Sequence, residues 1–265
     1  MTERMSWSPD IYLAFAAYRA RPVSDLLPRI SLPDDGAIYD LGCGPGNVTA
    51  KLKAHWPART VIGVDSSAAM IGSARERHAA AGVEFNIGDI AAWQAPHPAA
   101  LVFANAALHW LADHTTLFPH LATQVTPRGT FAVQMPLGQQ APYNTCIAEV
   151  AAMPRWRDRL ATVHAQTTPL SAAAYYDLLS PLMDEIDIWE TDYHHVLEGT
   201  DPVAAWASGT ALVPYTSLLE KSEAAEFTSA YAKAVRDFYP VRPDGRTLFK
   251  MRRIFIVARR RGEGR

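Results

Sequence analysis

The stretch Tyr39-Asp40-Leu41-Gly42-Cys43-Gly44-Pro45-Gly46-Asn47, followed by Val61-Ile62-Gly63-Val64-Asp65, constrains this chain more than any other part of it. It describes a strand, a glycine turn, a helix and a second strand ending in a carboxylate, which is how a parallel α/β sheet begins. Glycines at 42, 44 and 46 allow positive backbone dihedrals and place no Cβ where a ligand must approach the main chain. Asp65 follows about 20 residues on, at the end of an apolar run, where a carboxylate can accept hydrogen bonds from both hydroxyls of an adenosine ribose. The pattern is that of a nucleoside-cofactor site.

Two cofactors compete for this geometry. A dinucleotide fingerprint, G-x-G-x-x-G, needs its third glycine where the helix packs closely on the strand, and that position is Asn47. Asp40 stands just before the glycines; a carboxylate there repels a pyrophosphate and suits a cationic amino-acid group. The turn therefore favours S-adenosylmethionine over NAD, with an NAD-dependent oxidoreductase as the rival from a different class.

Short apolar runs alternate with helix-like stretches from residue 37 to 135, the signature of a parallel sheet covered on both faces. The pattern predicts strands near 37–41, 60–65, 83–88, 100–105 and 129–135, and helices over 48–56, 67–81 and 117–124. A sixth strand is expected at Ile186–Thr191 and a seventh from Leu248 to Arg259. One helix-rich stretch, 137–180, precedes the sixth strand and another, 199–240, separates it from the seventh; both are read as cap insertions, and residues 1–30 as an N-terminal helical lid. The expected architecture is one α/β domain over 1–265: a doubly wound, seven-stranded, mostly parallel Rossmann-like sheet with helical caps. In such sheets ligands lie at the carboxyl ends of the strands. That rule selects Asp40, Gly42, Gly44, Gly46, Asp65, Ser66, Asp89, Ile90, Asn105 and Ala106 for the cofactor, with Met70 and Ile90 enclosing a ring. Asp89 is read as an acceptor for the adenine amino group, with a helix N-cap as the lesser alternative.

With 265 residues, 49% of them hydrophobic, the chain can bury a full core. A net charge of −2 supplies no basic field for a polyanion, so nucleic acid is excluded as a partner and a small molecule expected. The Arg-rich end reads as a closing strand followed by a solvated terminus. Two cysteines are too few for a disulfide framework, and neither an apolar leader nor a bilayer-length apolar run is present, which points to a cytoplasmic protein without a membrane partner. The nine histidines form no compact ligand cluster, and His194-His195 reads as a strand pair rather than a metal site. A monomer or weak homodimer is expected.

Further segments support a family resemblance. Asp40–Asn47, Gly63-Val64-Asp65-Ser66-Ser67, Asn105-Ala106-Ala107-Leu108-His109-Trp110, Gln134-Met135-Pro136 and Arg253–Arg259 together, with the N-terminal Trp7, Pro9, Tyr12, Phe15, Arg19 and Arg21, resemble the class I S-adenosylmethionine-dependent methyltransferases. Within them the likeness is to the branch that methylates trans-aconitate, and it runs along nearly the whole chain. The resemblance implies methyl transfer to a carboxylate of that tricarboxylic acid, giving a monomethyl ester and S-adenosylhomocysteine. A small-molecule O-, N- or C-methyltransferase with another acceptor is the nearer alternative. A carboxylate is ionised at neutral pH and is its own nucleophile, so no general base is required. Capture of such an acid calls for arginine forks: Arg19, Arg21, Arg252 and Arg253 are the candidates, with Tyr12 and Trp110 beside them. His164, Tyr143, Tyr175 and Trp206 are possible walls. His109, after the fourth strand, is the candidate for positioning the acid.

Overall fold

The structure is a computed structural model that describes residues 16–163 and 168–262. Its seven strands are β1 (Ala37–Leu41), β2 (Val61–Asp65), β3 (Glu84–Ile87), β4 (Ala99–Asn105), β5 (Val125–Pro136), β6 (Met183–Leu197) and β7 (Thr247–Arg260). They form one sheet in the order β3-β2-β1-β4-β5-β7-β6. β1 to β5 are mutually parallel where they pair, and β7 runs antiparallel to β5. The reversal of order between β1 and β4 creates the crevice at the carboxyl ends where ligands of such sheets bind.

Burial follows the apolar runs. All five residues of β1 and all but Asn105 of β4 are buried, as a strand covered on both faces requires. β3 is buried at Phe85 alone and lies on one edge. At the other edge, the acidic residues of β6 are tied by arginines: Arg29 pairs with Asp187 at 2.6 Å and lies over the Trp189 ring, and Arg261 pairs with Asp184 at 2.6 Å. The C-terminal arginines expected to be a solvated tail are thus partly committed to the sheet; Arg260 also donates to the Thr123 and Val125 carbonyls. Such charged pairing also blunts an exposed edge strand.

Several boundaries differ from expectation, each for a local reason. The first of the helices after β1, Asn47–His55, ends before Pro57 as predicted, but the next stops at Arg77 instead of reaching Ala81. His78 leaves it, its ring 3.3 Å from the Asn47 side-chain oxygen. Helix His114–Thr123 begins earlier than the apolar pattern suggests because Asp113, at φ 53°, caps it by accepting from Thr116 N. β5 starts at Val125 rather than 129: Ala99 pairs with Val125 and Leu101 with Thr130, so the residues between are looped out, with Arg128 at φ 65°. Helix Ala16–Leu26, within the stretch read as an N-terminal helical lid, contains Pro22.

By contacts the chain divides into two compact units. The sheet unit comprises Arg19–Pro136, Thr168–Thr191 and Arg253 onward; the helical unit comprises the chain up to Tyr18, Leu137–Thr167 and Asp192–Arg252. The helical unit holds its own core, in which Tyr143, Trp206, Phe227, Tyr231 and Phe249 are buried together. Trp206 stacks on His195 at 5.0 Å, so it packs this core instead of facing a ligand. His194 is exposed and His195 buried, as successive residues of a strand must alternate. Tyr175 is buried in the sheet unit, its hydroxyl 2.7 Å from His114 Nδ1; it braces helix Ala172–Leu179 and lines no open wall. Among the described residues no helix is long and apolar enough to cross a membrane.

Candidate active site

The glycine turn is sewn to the neighbouring strand. The backbone N–H groups of Gly42 and Cys43 both donate to the Val64 carbonyl, at 2.7 and 3.1 Å. Gly42, Gly44 and Gly46 have φ of 73°, 54° and 84°, the left-handed region predicted for this turn. Two of them also answer to packing: a Cβ on Gly42 would lie 2.3 Å from Ala107 Cβ, and one on Gly46 2.7 Å from the Phe85 ring. Around Gly44 nothing stands within 4 Å of that position. Its N–H donates to Asp65 Oδ2 at 2.9 Å, while Asp65 Oδ1 accepts from Ser67 N at 2.9 Å. Burial raises the Asp65 pKa and these two N–H donors counter it. Each carboxylate oxygen retains a lone pair, which is what a ribose diol requires.

Asp40 departs from expectation. Instead of opening onto the turn, its carboxylate is buried beneath it, accepting from Thr49 Oγ1 at 2.7 Å. Burial, with the Asp65 charge adding to it against the Thr49 bond, pushes its pKa up to about 7. Ser66 is exposed, and Met70 and Ile90 are buried. Asp89 takes the capping role: its carboxylate accepts from Ala91 N at 3.0 Å, starting the short turn Ile90–Ala92.

A second group of polar residues gathers where β4 and β5 end. Asn105 is half-buried, and its Oδ1 lacks a hydrogen-bond partner among the described residues. Ala106 sits at φ 52°, a conformation that costs a side-chain-bearing residue about 1–3 kcal/mol, and donates its N–H to the Gln134 carbonyl at 2.8 Å. His109 is buried, and burial, with the Arg253 charge and His114 adding to it, pulls its pKa down to about 3, so the ring is neutral at physiological pH. Its Nδ1 has no hydrogen-bond partner among the described residues, and its ring centroid lies 5.0 Å from that of half-buried Trp110. Arg253 is buried and donates from Nη1 to Gln134 Oε1 at 3.1 Å.

Arg252, by contrast, points to a surface pair: it holds Asp192 at 2.8 Å, and with Lys250 keeps that carboxyl at about 2. Arg21 is exposed on helix Ala16–Leu26. Tyr12, the Arg19 side chain and His164 lie outside the described residues. Gln134 was not among the expected site residues, although a single amide inside the apolar run Phe131–Met135 is the signal that would have found it.

A family profile described as a methyltransferase domain matches residues 38–129. The trans-aconitate 2-methyltransferase of Paracidovorax citrulli is 43% identical over 258 residues, covering 96% of this chain and 98% of that protein. That of Azoarcus sp. is 42% identical over 254 residues, with the same coverage of each. The chain belongs to the class I S-adenosylmethionine-dependent methyltransferases, in the trans-aconitate 2-methyltransferase family. The fold agrees: the YcgJ protein of Bacillus subtilis aligns with a TM-score of 0.58 at 15% identity, over 92% of this chain and 99% of that one. Membership removes the NAD reading, in keeping with Asn47 in place of the third fingerprint glycine.

The residues present fit the methyltransferase cofactor. Open space over Gly44, a carboxylate clamped beside it and an unpartnered acceptor on Asn105 are what an adenosyl group and a cationic amine need. Two outcomes follow. Gly46→Ala should lower stability by about 1–3 kcal/mol in urea unfolding, through its φ and the Phe85 contact. Gly44→Ala should cost about 1 kcal/mol yet weaken S-adenosylhomocysteine binding measured by calorimetry. Similar affinity in Gly44→Ala and the parent chain would refute that placement.

A third outcome concerns pH. The Asp40 pKa is raised in the folded state, so that state binds the proton more tightly than the unfolded chain. Its contribution to stability is full below about 4 and is lost as pH rises through about 7. Asp40→Asn keeps an acceptor for Thr49 and should flatten this fall; the difference in urea midpoint between variant and parent should grow from pH 5 to pH 8. A constant difference would exclude it.

Proposed function

We propose that this enzyme transfers a methyl group from S-adenosylmethionine to a carboxylate of trans-aconitate, releasing the monomethyl ester and S-adenosylhomocysteine. The acceptor rests on the near-full-length likeness to relatives of that name. The cofactor rests on the turn: Asp65 would accept from the ribose hydroxyls, Gly42, Gly44 and Gly46 would leave room for the chain, and Asn105 Oδ1 would accept from the amine. Met70, Ile90, Asp89, Ser66 and Ala106 are proposed to border the adenosine. When bound, the cofactor supplies the reactive methyl.

What the chain adds is alignment. A carboxylate needs no base, so neutral His109 is proposed to orient the acid rather than to take a proton. Held in line at near-attack distance, the two reactants gain up to roughly 7–11 kcal/mol in favourable systems. Arg253, and Arg19, Arg21 and Tyr12 of the N-terminal segment, are the proposed acid-binding groups, beside Trp110. Arg252 has an established partner in Asp192 and is the weakest candidate. Free buried Cys43 and Cys146 suit a reducing, cytoplasmic setting, and a monomer or weak homodimer is proposed, to be read by sedimentation.

Labelled methyl from the cofactor should appear in trans-aconitate when di- and tricarboxylates are compared; transfer only to a non-carboxylate acceptor would leave the broader small-molecule methyltransferase reading. His109→Ala should lower kcat by about 10-fold or more with S-adenosylhomocysteine affinity unchanged, and equal loss of both would refute the assignment. Segments 1–30, 137–180 and 199–240 are proposed as the cap. Acid added to the product-cofactor complex should slow amide exchange in Pro142–Ala151 and Lys221–Arg236, and unchanged exchange there would remove the cap from the mechanism.

A further inference from the structure

Three polar side chains line up on one face of an otherwise apolar sheet. Asn105 of β4 is the register partner of Gln134 of β5, and Arg253 of β7 is opposite Pro136, two residues beyond Gln134. Side chains two apart on a strand share a face, so Asn105, Gln134 and Arg253 form one row at the carboxyl edge of the sheet. The residues between them in sequence or register, Met135 and Ile254, are apolar and take the other face.

The chemistry of the row is directional. A guanidinium can only donate, so the oxygen of the Gln134 amide must face Arg253 Nη1, 3.1 Å away. That orientation commits Oε1 and turns Nε2, with its two N–H groups, away from Arg253. Gln134 is fully buried, yet Nε2 meets no acceptor among the described residues. A buried donor pair left open beside a buried cation is a seat for an anion. The row reaches the surface through Asn105, Ala106 and Trp110, which are half-buried.

We infer that Gln134, oriented by Arg253, binds a carboxylate of the acceptor acid and so selects acidic acceptors. This rests on the proposed carboxyl methylation and adds a residue to it. A carboxylate could also come from the methionine part of the cofactor, and the two sources separate by measurement.

Gln134→Met keeps the volume and removes the donors; Gln134→Glu adds a charge that pairs with Arg253 and repels an acid. With the parent chain first shown to methylate trans-aconitate, both variants should raise the acid KM, about 10-fold for Met and further for Glu. S-Adenosylhomocysteine affinity and Tm should stay near parent values. A parent inactive on every carboxylic acid would sink the carboxyl-methylation reading itself. A parent active on trans-aconitate with an unchanged KM in Gln134→Glu would overturn the role of Gln134, as would a loss confined to S-adenosylhomocysteine affinity. Should Gln134→Met lower Tm, Gln134→Glu, whose charge meets Arg253, carries the decision.

Discussion

The clamp on Asp65 is the contact on which the cofactor end of the molecule depends. One oxygen takes the Gly44 N–H and the other the Ser67 N–H, so a single carboxylate ties the glycine turn to the start of the next helix. Both donors sit where backbone amides have no helix partner of their own, and a buried acceptor satisfies them. The same two bonds counter in part the burial that raises the pKa of the group. Fixed in direction, Asp65 can present its remaining lone pairs without reorganisation when a ribose arrives. Preorganisation of this kind, more than added contact, is what turns a polar residue into a binding residue.

Against that clamp, the burial of Asp40 has an evident cost. Burial disfavours its charged form and the Asp65 charge adds to this, so the inner carboxyl takes up a proton near neutrality. A neutral Asp40 bonded to Thr49 acts as a brace between β1 and helix Asn47–His55. An approaching cation would draw the proton off it. The pair therefore divides the work: Asp65 holds its acceptors in fixed directions, while Asp40 answers to charge.

Much of this was legible in sequence because it rests on residues with few alternatives. Glycines at alternate positions, a carboxylate ending an apolar run, and apolar runs of strand length left little freedom, so the turn and the strands fell within a few residues of expectation, except β6, which runs on from Thr191 to Leu197. What escaped depended on contacts distant in sequence. The helix Ala68–Arg77 ends where His78 swings to Asn47, and the start of β5 is looped out against β4; neither partner can be read from local pattern. The aromatic residues read as site walls, Tyr175 and Trp206, are large enough to pack a core, and composition does not say which side of an element they face. Gln134 was passed over for the opposite reason: a lone amide in an apolar strand is visible in sequence but names no ligand, and its partners Asn105 and Arg253 come only from the register.

That register also explains why the far end of the sheet tolerates buried polarity. A cation, an amide and an imidazole inside an apolar layer would each lose hydration, and unmade hydrogen bonds there cost about 1–3 kcal/mol apiece. Burial keeps His109 neutral, which removes one of the charges. Arg253 donates to the Gln134 oxygen, which leaves the amide nitrogen of Gln134 without an acceptor among the described residues. Folding alone would be served better by apolar side chains of similar volume, as replacements of buried ion pairs elsewhere have demonstrated. A strained Ala106 beside the same residues adds to the conflict between stability and sequence. Conflicts of this sort concentrate where a chain must meet a ligand, and the glycine turn and the row on β4, β5 and β7 both lie at the carboxyl edge of one sheet. In the proposed reaction one end takes a cation and a sugar and the other an anion; a step in which a positive methyl donor meets a carboxylate needs both.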